Sequence, residues 1–274
     1  MPVKTVRANG IGFAYLESGE GPLVVLLHGF PDTAHTWDHT RPALARAGFR
    51  AVAPFLRGYA PTEIPADGDY RGETLGNDVA ALIEALGERE AIVVGHDWGA
   101  FAAFAVATLH PERVRFLVTV AIPHLASVRP SPVLAWKARH MVSLRRANAP
   151  ARVRAGNFAH VDELVRRWSP AWDVPAGETD AVKRAFAVPG CVEAALGYYR
   201  ALTLRRPAWA RGRIRAPSLA FVGATDFALR PRDFERARPW YQDRYEVVTL
   251  PGGHFLHREH PEQFNADLVG RLPR

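Results

Sequence analysis

Apolar and polar positions follow two alternating periods through the first 125 residues. Ile11 to Glu17 reads as an early strand, hairpin-paired with Val3 to Ala8 through Asn9-Gly10, a dipeptide suited to a tight turn. Leu23 to Leu27 is continuously apolar and ends at His28-Gly29, as in a strand buried on both faces. Trp37 to Ala47 predicts a helix stopped by Gly48, and Arg50 to Phe55 the next strand. Leu75 to Leu86 predicts a helix closed by Gly87, followed by a strand at Ala91 to Val94. Trp98 to His110 is a helix before Pro111, and Val114 to Ile122 a strand before Pro123. Strand and helix at this rhythm imply right-handed crossovers and a largely parallel sheet flanked by helices, an α/β fold.

The rhythm breaks at His124. No buried-strand run is visible up to about Arg213, only amphipathic stretches such as Val161 to Trp168 and Cys191 to Leu204, punctuated by prolines. Strand patterning resumes at Ser218 to Val222. A helix near Pro231 to Tyr241, a strand at Tyr245 to Leu250 and a last helix at Pro261 to Leu272 complete the chain. The expected organisation is therefore one core, residues 1–123 and 214–274, with a helical cap inserted at 124–213.

Composition narrows the class. The 274 residues are 48% hydrophobic and 23% charged, the balance of an ordinary globule rather than a disordered chain. The single Cys191 allows no internal disulfide, and the N-terminus lacks the apolar core of a signal peptide, so a cytoplasmic setting is expected. No apolar run approaches the roughly 20 residues that would cross a bilayer, and no membrane partner is expected. The net charge of +7 is concentrated in the insertion: Arg129 to Arg215 holds 17 Lys/Arg against 6 Asp/Glu, a surplus of 11. Scattered arginines without glycine or aromatic interleaving read as a solvated basic face rather than a nucleic-acid surface. No metal-ligand spacing or phosphate loop is visible, so no cofactor and no metal are expected. A homodimer is compatible with the sequence.

The most informative segment is Ile92-Val93-Val94-Gly95-His96-Asp97-Trp98-Gly99-Ala100: strand, Gly-x-nucleophile-x-Gly, helix. Small residues let the chain turn sharply and expose the central side chain at the end of the sheet, where the helix aims free N–H groups. The central residue is Asp97 where serine is usual. A carboxylate attacking an ester or amide would give an anhydride. It suits attack on an sp³ carbon bearing a strained or departing substituent, which leaves an alkyl ester that water can cleave.

With these residues the chain resembles the α/β-hydrolase family, in its Asp-nucleophile branch of epoxide hydrolases and haloalkane dehalogenases. His28-Gly29-Phe30-Pro31 matches the epoxide-hydrolase loop motif, Gly95-His96-Asp97-Trp98-Gly99 the nucleophile elbow, and Arg57-Gly58-Tyr59 the loop after the next strand. The resemblance implies an ordered triad: Asp97 as nucleophile, Asp226 as orienting acid and His254, in Pro251-Gly252-Gly253-His254, as base. His257 and His260 lie nearby and are expected at the surface. The resemblance also assigns the oxyanion donors to the backbone N–H groups of Phe30 and Trp98, and relatives carry a cis peptide at Pro31.

Two chemistries share this nucleophile. Dehalogenases hold the departing halide with the Trp after the nucleophile plus an Asn after His-Gly, or a cap Trp; here Trp98 fits and Phe30 occupies the Asn position. Epoxide opening forms an alkoxide, which needs a proton donor, and epoxide hydrolases supply two cap tyrosines. Leu196-Gly197-Tyr198-Tyr199-Arg200 matches the second, with Tyr199 as donor and Tyr198 as the alternative. Counting back from Arg167-Trp168-Ser169-Pro170 places His140 at the first, since no Tyr lies between Tyr70 and Tyr198. The expected function is an epoxide hydrolase, with a haloalkane dehalogenase or a catalytically idle ligand-binding protein as alternatives. The expected substrate is a small apolar epoxide, with water, in a pocket lined by Phe30, Trp37, Trp98 and Tyr198.

Overall fold

The computed structural model describes residues 2–203 and 205–274. Eight strands form one sheet: β1 (Lys4–Ala8), β2 (Ile11–Ser18), β3 (Leu23–Leu27), β4 (Arg50–Pro54), β5 (Ala91–His96), β6 (Val114–Val120), β7 (Ser218–Gly223) and β8 (Tyr245–Leu250). Their order is β1-β2-β4-β3-β5-β6-β7-β8. β2 runs antiparallel to both its neighbours, β1 and β4, and the strands from β4 through β3 to β8 are joined in parallel. The hairpin turns at Asn9-Gly10, both with positive φ, so Ala8 pairs with Ile11 as the sequence predicts.

β3 and β5 are buried along their whole length because helices cover both faces of the sheet. These helices are α1 (Thr40–Arg46), α2 (Gly72–Ala85) and α3 (Trp98–Leu109) in the first half of the chain. Between β6 and β7 come α4 (Pro132–Lys137), α5 (Arg139–Ser143), α6 (Ala149–Trp168), α7 (Asp180–Ala187) and α8 (Cys191–Ala201), with no strand among the described residues. The last part carries α9 (Pro231–Glu235), α10 (Leu256–Glu259) and α11 (Pro261–Arg271). α6 is kinked at Ala155–Phe158, where Gly156, Asn157 and Phe158 all have positive φ.

Several boundaries differ from the sequence pattern, and three of them have a clear physical reading or limit. The helix predicted from Trp37 starts at Thr40, and Trp37 instead closes a 3-10 turn at Ala34–Trp37. The helix predicted over Pro231 to Tyr241 breaks after Glu235 into α9 and a 3-10 turn at Arg238–Trp240. Pro239 has no N–H to give and its ring crowds the carbonyl of Glu235, so a continuous helix cannot form there. α8 ends at Ala201; the predicted end, Leu204, lies outside the described residues.

Chain order reverses around β3, which has β4 on one side and β5 on the other. The crevice beyond the carboxyl ends of β3 and β5 is thus a topological switch point, where open α/β sheets bind ligands. The helical insertion packs over this end. Tyr198 donates to the Arg57 carbonyl at 2.8 Å, and Arg57 forms a buried two-bond pair with Asp78 at 2.7 and 2.8 Å. α8 is thereby pinned to the loop after β4.

Candidate active site

Asp97 stands between β5 and α3 with φ 51° and ψ −117°, a conformation an L side chain adopts only when its surroundings enforce it. The enforcement is close packing around the turn. A Cβ at Gly95 would lie 2.3 Å from the Gly99 carbonyl oxygen, and one at Gly99 would lie 2.1 Å from that of Leu27. Only glycine fits at either place, which explains the Gly-x-Asp-x-Gly spacing physically. Gly29 passes so near Asp97 that a Cβ there would meet the carboxylate at 2.4 Å.

This approach brings the loop after β3 onto the carboxylate. The Phe30 N–H donates to Asp97 Oδ1 at 2.9 Å. Trp98 opens α3, so its N–H has no acceptor within the helix. The Phe30–Pro31 peptide is cis, as in the relatives. His28 supports this loop: its Nδ1 donates to the Gly29 carbonyl at 3.0 Å, and its Nε2 accepts from the Leu56 N–H at 3.0 Å. Both nitrogens are occupied in the neutral form, and burial pushes the ring's pKa down to about 4.

His254 follows β8. Its Nε2 faces Asp97 Oδ2 at 3.4 Å, too long for a well-formed hydrogen bond, and its Nδ1 donates to Asp226 Oδ2 at 3.0 Å. The other oxygen of Asp226 accepts from the N–H groups of Ala228 and Leu229 at 2.8 and 2.9 Å, which holds the carboxylate still. Burial alone would lower the pKa of His254, but the hydrogen bonds and charges of Asp226 and Asp97 outweigh it and raise it to about 9. Burial would likewise raise Asp97; the facing His254 reverses the direction and holds it below the usual carboxylate range. The resting pair is therefore carboxylate and imidazolium.

Two further contacts place the histidine loop. The His96 Nε2–H donates to the His254 carbonyl at 3.0 Å. Arg258, just beyond, bonds to Asp32 of the Phe30 loop and to Glu178 of the helical insertion, tying three segments together.

A cavity of about 610 Å³ opens above the triad, and Asp97, Asp226 and His254 all border it. Trp98, Tyr199 and His140 line it, as do Trp168, Phe227 and Met141. Tyr199 stands edge-on to Phe30 and Trp98, with ring centres 5.3 and 5.1 Å away. Burial, followed by the nearby Asp97 charge, keeps the Tyr199 phenol protonated well beyond its ordinary range. His140 packs on Trp168 and Phe227, and its Nδ1 lies 3.2 Å from the Lys137 carbonyl. A carbonyl only accepts, so Nδ1 carries the proton and Nε2 presents a lone pair. Burial lowers the pKa of this ring to about 4.

Four sequence expectations are corrected. Trp37 does not reach the cavity: it is fully buried on the core side, 4.7 Å from the His257 ring and 6.4 Å from Phe264. Tyr198 packs on Tyr70 and Tyr59 with its hydroxyl spent on Arg57, because on a helix it points about 100° away from Tyr199. The Phe30 side chain is covered by Phe186 and Tyr199, so this residue faces the site through its backbone. His257 is buried rather than at the surface, bonded to Thr36 at 2.7 Å. Phe227 and Trp168 escaped notice as pocket residues, although one follows Asp226 directly and the other lies in the segment used to locate His140.

Comparison with known proteins shows the family. A family described as the alpha/beta hydrolase fold matches residues 22–261. The AB hydrolase superfamily protein YfhM of Bacillus subtilis is 33% identical over 205 residues, covering 72% of each chain. Epoxide hydrolase A of Mycobacterium tuberculosis is 28% identical and covers 97% of this chain and 95% of its own. Among solved structures, an epoxide hydrolase from Vigna radiata superposes with a TM-score of 0.84 at 27% identity, over 98% of this chain and 97% of that one.

Proposed function

The chain belongs to the α/β-hydrolase fold family and is a hydrolase similar to epoxide hydrolases, and from that premise we propose that it opens apolar epoxides to vicinal diols through an ester on Asp97. The observation that carries this reading is the division of labour within one carboxylate. Oδ1 is held by a backbone N–H while Oδ2 faces His254 and the cavity.

Oδ2 attacks an epoxide carbon and the ring C–O bond breaks. The Tyr199 phenol borders the cavity and stays protonated, so its O–H can hydrogen-bond the departing alkoxide oxygen. Esterification removes the negative charge of Asp97. One of the two carboxylates that raise the pKa of His254 is then gone, so the ring releases its proton, which neutralises the alkoxide held by Tyr199 and leaves His254 a base for the second step. Water, deprotonated by Nε2, adds to the Asp97 carboxyl carbon. The oxyanion forms on Oδ1 opposite the Phe30 and Trp98 N–H groups, and collapse expels the diol oxygen, which takes a proton from His254.

His140 in its resting tautomer accepts rather than donates, so Tyr199 carries the proton donation in this reading. Tyr199 brings a phenol to the cavity beside Asp97, which favours epoxide over halide as the leaving group. Aryl and alkyl epoxides should give diol, while alkyl bromides of matched size release no bromide. Bromide release without diol formation would transfer the function to dehalogenation.

A further inference from the structure

The segment Arg129 to Arg146 carries Arg129, Lys137, Arg139, Arg145 and Arg146 and no Asp or Glu. It forms α4 and α5, which border the cavity with two faces of opposite assignment. Leu134, Ala138 and Met141 line the cavity wall. Val133, Trp136 and Val142 point outward and are 65, 64 and 63% exposed. Seven large apolar side chains are exposed among the described residues, and these are three of them, within ten positions. The Arg139 guanidinium stacks on the Trp136 ring at 4.1 Å. Lys137 and Arg129 face Arg230 and Arg232 across a neighbouring groove whose one acid, Asp233, is already paired with Arg236.

We propose that α4 and α5 dock this protein on an anionic lipid surface, with Trp136, Val133 and Val142 entering the headgroup boundary and the surrounding cations meeting the lipid charge. The inference goes beyond the epoxide reading and does not depend on it. Exposed tryptophan and valine beside unopposed arginines match the composition of helices that lie in the interface plane. A second copy of the chain fits less well, because a two-fold contact would set the same cations against each other. Nucleic acid would satisfy the charge and leave Val133 and Val142 in water. No helix among the described residues is long and apolar enough to cross a membrane, so the attachment is peripheral. It revises the expectation of no membrane partner drawn from the sequence. Because the opposite face of the same helices walls the cavity, an apolar substrate dissolved in the bilayer would enter beside the docking face.

The test is co-sedimentation of the full chain with vesicles of phosphatidylcholine mixed with phosphatidylserine, beside vesicles of phosphatidylcholine alone. Binding should be confined to the mixed vesicles and fall as salt rises. The triple variant Val133→Ser, Trp136→Ser, Val142→Ser should bind at least about tenfold more weakly, with unchanged turnover of a water-soluble epoxide. The turnover control separates lost docking from lost folding, and a chain inactive on every epoxide can still pass or fail the vesicle test. Equal binding by the triple variant, or none by the parent, would overturn the proposal. So would a dimer, or binding to an oligonucleotide in place of vesicles, that the same three substitutions abolish.

Discussion

At the scale of single residues the site is a charge arrangement that the proposed reaction would rewrite. His254 is raised to about 9 against burial by two carboxylates, Asp226 and Asp97. Asp97→Asn removes one of them in the resting state, as the proposed esterification would during turnover. The His254 pKa in that variant should therefore drop from about 9 toward the ordinary histidine range, read by NMR titration of the ring. An unchanged value would mean that Asp226 alone sets it. Tyr199→Phe removes a donor that matters only as alkoxide charge develops. It should slow ester formation by roughly 10²-fold with little change in substrate binding, measured in single-turnover kinetics. His140 leads to a different expectation. Its Nδ1 is committed to Lys137 and burial keeps the ring neutral above about 4. His140→Gln should then alter ester formation far less than Tyr199→Phe at neutral pH, in the same kinetics.

Elements bring these residues together, and Arg258 is where they lock. It bonds to Asp32 after β3 and Glu178 before α7 from its own place in α10, and its side chain is only 7% exposed. Arg258→Met would leave a buried carboxylate without its partner, costing about 3 to 5 kcal/mol, visible as a lower urea midpoint. That clamp could not be read from the sequence, because its members are separated by long stretches of chain and nothing local marks them. The strands could be read, since β3 and β5 are buried on both faces and leave unbroken apolar runs. The nucleophile turn was legible for a related reason: its glycines mark backbone contacts under 3 Å that no other residue allows. Side-chain direction was not legible. Tyr198 and Tyr199 are adjacent in one motif, and only the packing of α8 sends one to Arg57 and the other to the cavity. Trp37 misled because an aromatic after a strand-end motif fits a pocket wall and a core equally well.

For the whole molecule, the buried histidines set opposite pH limits on stability. His254 has a raised pKa, so its contribution is full below about 6.5 and disappears as pH rises through about 9. His28, His124 and His140 are lowered to about 4 by burial, so between about 6.5 and 4 the unfolded chain takes up protons that the fold refuses. Stability should fall on both sides of neutrality, as a series of urea melts across pH would record. In His254→Gln the alkaline decline should flatten while the acid one persists.

In the proposed mechanism Asp97 becomes an ester that water cleaves at the carboxyl carbon. A single turnover of excess enzyme in ¹⁸O-water, followed by digestion and mass spectrometry of the Asp97 peptide, tests this directly. An ester cleaved in this way leaves one ¹⁸O in the Asp97 carboxylate and unlabelled diol from that first turnover. Labelled diol with an unlabelled Asp97 would mean that water attacks the epoxide itself, and would contradict that mechanism.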